Sequence, residues 1–115
     1  MAIAVNATKE ALASAYVTLG AYISLHTSDP STTGQNEAAG GTPSYARKQT
    51  TWTAGASDGI INGSEVSIDV PAGSYTHAGI WSAATGGNFI DKVSITATTL
   101  GAQGVVKVTP TVTVS

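Results

Sequence analysis

The chain has 115 residues, enough for one domain (residues 1–115) with one modest core. Charged residues make up only 10 % of it and the formal net charge is −2, where ordinary soluble domains carry roughly 25 % charged residues. This excludes the clustered Lys and Arg of a nucleic-acid surface, and the absence of cysteine excludes a disulfide framework and a thiolate metal site.

Met1-Ala2-Ile3-Ala4-Val5 carries neither the basic start nor the long apolar run of a secretory signal. No segment approaches the roughly 18 apolar residues of a membrane span. The expectation is a chain made in a cytoplasm and soluble until it assembles. A helix comes first, with Asn6 as its cap, Ala7–Leu19 as its body and Gly20 as its left-handed terminator. Leu12, Ala15, Tyr16 and Leu19 recur at helical spacing and predict an apolar stripe that lies against a sheet or another subunit.

From Ala21 the period changes to two. Ala21, Ile23 and Leu25 alternate with Tyr22, Ser24 and His26, which predicts a half-buried strand. Ser28–Thr42 is a long polar loop, and a loop of that length in a small domain is functional, disordered or clamped by a partner. Ser44–Thr53 is predicted as the second strand, with Tyr45 and Trp52 on opposite faces, and 54–63 as a turn region. Val66, Ile68 and Val70 alternate with polar residues in the clearest amphipathic strand, ended by Pro71-Ala72-Gly73. Ser74–Ser82 follows, with Tyr75, His77, Gly79 and Trp81 on one face, and then a turn at 84–87. Asn88–Thr98 and a valine-rich 105–114 segment close the chain, and Pro110 calls for an edge or a bulge there. About six short strands imply an antiparallel β-sandwich or barrel with one short N-terminal helix.

Chemistry is hard to build from these residues. Ser24, Ser28, His26 and Asp29 lack the elbow and oxyanion hole of a hydrolase, and a strand end running into an Asp-Pro turn accounts for them. Asp29, Gln35, Asn36 and Glu37 offer oxygens but not the spacing of a calcium loop. His26 and His77 have no ligand spacing. Tyr75, His77 and Trp81 could stack a sugar, but the same pattern is what a sandwich core requires, with Gly79 making room. No catalytic residue, metal ligand or cofactor is expected.

Three blocks in order carry more information than any one of them: Tyr22-Ile23-Ser24-Leu25-His26-Thr27-Ser28-Asp29-Pro30, then Ser44-Tyr45-Ala46-Arg47-Lys48, then Thr76-His77-Ala78-Gly79-Ile80-Trp81 with its turn Ala83-Ala84-Thr85-Gly86-Gly87. With the preceding helix and the Val66–Val70 strand, this set resembles a family of small virion proteins of tailed bacteriophages, commonly labelled tail-fibre-like or minor tail proteins. The resemblance covers roughly residues 1–92. It implies a non-enzymatic structural subunit, tail-associated or decorating the capsid, whose partners are copies of itself and other virion proteins. A receptor- or glycan-binding module of the tail is the alternative. The candidate assembly contacts are Leu12, Tyr16 and Leu19 on the helix, Asp29 in the loop, the basic pair Arg47-Lys48, and Val112 and Val114 in the last strand.

Overall fold

A computed structural model of the chain describes residues 3–114; Met1, Ala2 and Ser115, the ends of the expected domain, lie outside the described residues. Helix α1 (Asn6–Val17) precedes the strands β1 (Tyr22–His26), β2 (Lys48–Gln49), β3 (Trp52–Ala54), β4 (Ile60–Gly63), β5 (Val66–Val70), β6 (Gly73–Trp81), β7 (Phe89–Leu100), β8 (Gly104–Val108) and β9 (Thr111–Thr113). The sheets run β2-β1-β6-β7, β3-β4-β9 and β5-β8, and every pairing is antiparallel. The fold is mainly β with one N-terminal helix, built from packed open sheets rather than a closed barrel. None of the described helical residues form a span long and apolar enough to cross a membrane.

Nine strands appear where the sequence predicts about six, for three local reasons. The expected 44–53 strand is broken at Thr50. Its amide donates to the Ala21 carbonyl and its hydroxyl to that of Ser64, so the chain leaves one sheet at β2 and enters another at β3. The expected turn at 54–63 contains β4, a central strand paired on both sides despite its Asn62-Gly63 composition. The final segment splits at Thr109-Pro110, since Pro has no N–H to donate to a ladder. The Pro110 carbonyl instead accepts from the Gly63 amide.

Helix α1 also departs from expectation. Val5, not Asn6, holds the N-cap position, without a side-chain bond. The helix stops at Val17, where the Thr18 hydroxyl folds back onto the Ala15 carbonyl. Gly20 is not left-handed; it is needed because a Cβ there would lie 2.3 Å from the Trp81 carbonyl oxygen. Ala13 is the buried residue of α1, while Leu12, Ala15 and Leu19 of the expected packing stripe face outwards.

The core gathers Ile23 and Leu25 of β1, Val66, Ile68 and Val70 of β5, Tyr75 and Ala78 of β6, Ala38 of the long loop and Val106 of β8. The alternation predicted for β5 is observed residue by residue. In β6 the ladder to β7 is irregular at two points, the second between Ile80 and Trp81. The first lies between Tyr75 and His77, and Tyr75 joins the core with Ala78 instead of sharing surroundings with Trp81.

Candidate functional site

Strand β1 is buried on both faces, not one: after Tyr22 all its residues are inaccessible. Ile23 and Leu25 point into the core, and Ser24 and His26 point to the opposite side of the sheet. There they are covered by the 28–42 segment, which is ordered by its own backbone. Thr27 N–H donates to the Asn36 carbonyl, Ala38 N–H to that of Leu25, and Gly34 N–H to that of Pro30. Pro30 and Gly34 are buried beneath it. Gly34 has φ +78°, and a Cβ there would lie 2.3 Å from the Trp81 ring, so only glycine fits on both counts.

Under this flap the motif residues converge. The Arg47 guanidinium lies 3.6 Å from the Trp81 ring centroid and grips the Glu37 carboxylate with two bonds, Nε to Oε2 at 2.8 Å and Nη2 to Oε1 at 2.9 Å. Its Nη1 donates to the carbonyls of Ala83 and Gly86 and so fastens the turn after β6. The Tyr45 hydroxyl donates to Glu37 at 2.6 Å and accepts from the Leu25 amide. Behind Trp81, its Nε1–H donates to Ser24 Oγ at 3.0 Å, and Ser24 Oγ is 2.7 Å from His26 Nε2. His26 Nδ1 lies 2.9 Å from the Gln35 carbonyl. A carbonyl only accepts, so Nδ1 carries the proton; Nε2 is then the acceptor and the Ser24 hydroxyl donates to it. Phe89 closes the cluster with its ring centroid 5.1 Å from that of Trp81.

The electrostatics follow from this packing. Burial alone would raise the Glu37 carboxyl, but the hydrogen bonds from Arg47 and Tyr45 and the Arg47 charge outweigh it and hold the group below the ordinary range. Burial and the adjacent carboxylate push the Tyr45 phenol up. Burial pushes His26 down, against its bond to Gln35 and the charge of Glu37. Among the described residues every buried side-chain polar atom has a partner. The Ser24–His26 contact is structural. Both residues are inaccessible, and the imidazole leans on a carbonyl rather than a carboxylate. Among the described residues no three His, Asp or Glu side chains gather as a metal site.

The candidate assembly residues are scattered. Leu12 on α1 and Leu19, two residues past its end, are 45 % and 56 % exposed. Tyr16 is half-buried and its hydroxyl donates to Asp91 Oδ2 at 2.8 Å, which ties α1 to β7. Asp29 is exposed, accepts from the Ser31 amide and pairs with Lys92. Arg47 is held inside its own chain as described, whereas Lys48 lies on the edge strand β2. Val112 and Val114 are half-buried and line, with Ile80, Trp52 and Val93, an apolar groove of about 460 Å³ between β7 and the C-terminal segment. Trp52 is partly buried and its N–H donates to the Gly20 carbonyl. Glu37, Ser24 and Trp81 each stand out in the sequence, but their meeting with Arg47 and His26 in one clamp does not. The available signal was Glu37, one of the two acids of the loop, with Arg47 ten residues later in the second block.

The fold and the clamp define a β-rich module whose Arg47, Glu37 and Trp81 side chains fasten its own loops. The family model described as "Podophage GP4 fiber I protein gp80" matches residues 5–113, and the chain belongs to that family, a component of the virion. Comparison with curated proteins finds no match.

Proposed function

We propose that the chain is a repeated, non-enzymatic subunit of the phage tail apparatus, fitted into or onto a fibre through contacts with other virion proteins and with copies of itself. The observation that carries this reading is the direction of the side chains. The residues suited to gripping a ligand, Arg47, Glu37, His26 and Trp81, bind one another inside the chain. The surface that remains is nearly neutral, in keeping with a total charged content of 10 %. Such a surface is inexpensive to desolvate against neighbours, and a repeated subunit multiplies each weak contact. Tyr75 and Trp81, the aromatics best placed in sequence to stack a host sugar, are only 2 % and 8 % exposed, which favours the structural role over glycan binding.

Cryo-electron microscopy of intact particles tests the assignment. The expected result is density of this shape confined to the tail fibres. Density repeated over the capsid lattice would overturn the tail location and make the chain a shell-bracing subunit.

A further inference from the structure

Asn62-Gly63 is the one Asn-Gly pair in the chain; the other asparagines, Asn6, Asn36 and Asn88, precede Ala7, Glu37 and Phe89. An asparagine side chain closes most readily on a following glycine, whose backbone is freest to turn and carries no Cβ to obstruct the approach. Such a pair ordinarily marks a hairpin turn. Here it lies in the central strand β4, and packing dictates the glycine: a Cβ on Gly63 would stand 2.6 Å from Thr50 Oγ1 and 2.7 Å from Pro110 Cγ. The close approach of three chain segments therefore brings a reactive pair with it.

The reaction is intramolecular. The Gly63 backbone nitrogen attacks Asn62 Cγ and closes a succinimide ring. The Cγ–Nδ2 bond breaks, and Nδ2 leaves as ammonia with the proton that the Gly63 nitrogen gives up. Water then opens the ring, at the side-chain carbonyl to give aspartate or at the main-chain carbonyl to give isoaspartate. Ring closure needs the nitrogen within roughly 3–3.5 Å of Cγ and in line with it. Three features of the sheet oppose that. Asn62 is paired with Thr53 on one side and Thr111 on the other, which fixes its backbone extended. The Gly63 N–H donates to the Pro110 carbonyl at 2.8 Å, an acceptor that holds the proton in place. Thr111 Oγ1 donates to Asn62 Oδ1 at 3.1 Å and turns the carboxamide towards β9. Asn62 is itself exposed, so water has access and ring closure is the guarded step.

We propose that Asn62 is a self-modification site, silent in the paired sheet and released when β3-β4-β9 opens. The product is permanent. Isoaspartate lengthens the main chain of the central strand and disturbs its register with both neighbours, on which the placing of every side chain depends. Aspartate instead adds a carboxylate to a chain whose net charge is already −2. A subunit that opens is thereby marked, while one held closed stays intact.

Peptide mapping by mass spectrometry of the whole chain, aged at mildly alkaline pH with and without urea, tests this. The expected result is conversion of the Asn62 amide to the acid in urea, ahead of Asn6, Asn36 and Asn88. In the folded chain the rate is lower by about a hundredfold or more, as for a group that reacts only from a rare opened state. Val112→Ala trims the β9 residue opposite Ile61; it should raise the folded-state rate several-fold and leave the rate in urea unchanged. Hydrogen exchange at the Gly63 amide should quicken in step, because the same opening frees both groups. Equal rates with and without urea overturn the proposal, as does modification of Asn62 while the Gly63 amide stays protected. Full recovery of the native dichroism by isoaspartate-containing chains on removal of urea would overturn the permanent mark.

Discussion

Arg47 has four hydrogen-bonding partnerships and one aromatic one, and its side chain is 9 % exposed. Truncating it leaves the Glu37 carboxylate without its counter-ion, the Ala83 and Gly86 carbonyls without their donor and the Trp81 face bare. Arg47→Ala is expected to cost about 3 kcal/mol, the scale for breaking a buried pair by removing one partner. Arg47→Lys keeps the charge but lacks the planar fork, so it recovers only part of the loss. Urea denaturation of the three proteins checks the order. His26 supplies a second prediction. Its folded-state pKa is lowered, so as pH drops below about 6.5 the unfolded chain takes up a proton that the folded chain refuses, and stability falls. His77 lies directly across the ladder and its charge works in the same direction. Glu37, also lowered, adds a separate loss as pH falls through about 4.5 and below. The melting temperature should stay level from neutrality to about pH 9, short of the ordinary phenol range that Tyr45 exceeds, and fall in two stages on acidification. His26→Gln should remove the upper stage and leave the lower one.

At the scale of elements, the 28–42 segment behaves as a flap fixed over β1. Its backbone is tied at both ends and pinned through Glu37, Pro30 and Gly34. A broad-specificity protease is expected to spare it in the native chain and to cut it first in Arg47→Ala, as mass spectrometry of the early fragments would register. Gly34→Ala combines a strained φ with a clash against Trp81, and overpacking of this kind costs about 1–3 kcal/mol; cleavage in the same segment should follow. Elements differed in how far the sequence reveals them. Val66, Ile68 and Val70 advertise β5, because one face is core and the other water. Strand β4 is hidden, because its pairing to β3 and β9 comes from residues distant in sequence while Asn62-Gly63 reads locally as a turn. The clamp is half-readable. Its blocks stand in order along the chain, yet the meeting of Arg47 with Glu37 depends on the flap folding back, which no local period encodes. The apolar stripe of α1 was visible as helical spacing, but the period does not say which of its members meet the sheet and which face outwards: Tyr16 is half-buried while Leu12 and Ala15 are exposed.

For the whole molecule, the question is whether three sheets unfold as one body. The β5-β8 pair is a two-stranded ribbon, which is marginal by itself in water. It nevertheless supplies Val66, Ile68, Val70 and Val106 to the common core, where they meet Ile23 and Leu25 from the four-stranded sheet. Trp52 reports from the sheet β3-β4-β9 and Trp81 from the clamp, so fluorescence samples regions that the ribbon does not itself contain. Ile68 is 0 % exposed at the centre of the ribbon, and Ile68→Ala is expected to cost about 2–5 kcal/mol. If the shared core couples the sheets, that loss shifts tryptophan fluorescence and far-ultraviolet circular dichroism to the same lower midpoint, with the two curves superimposed. A fluorescence transition that stays in place while part of the dichroism melts early would mean the ribbon unfolds independently, and that the body a fibre must carry is smaller than the chain.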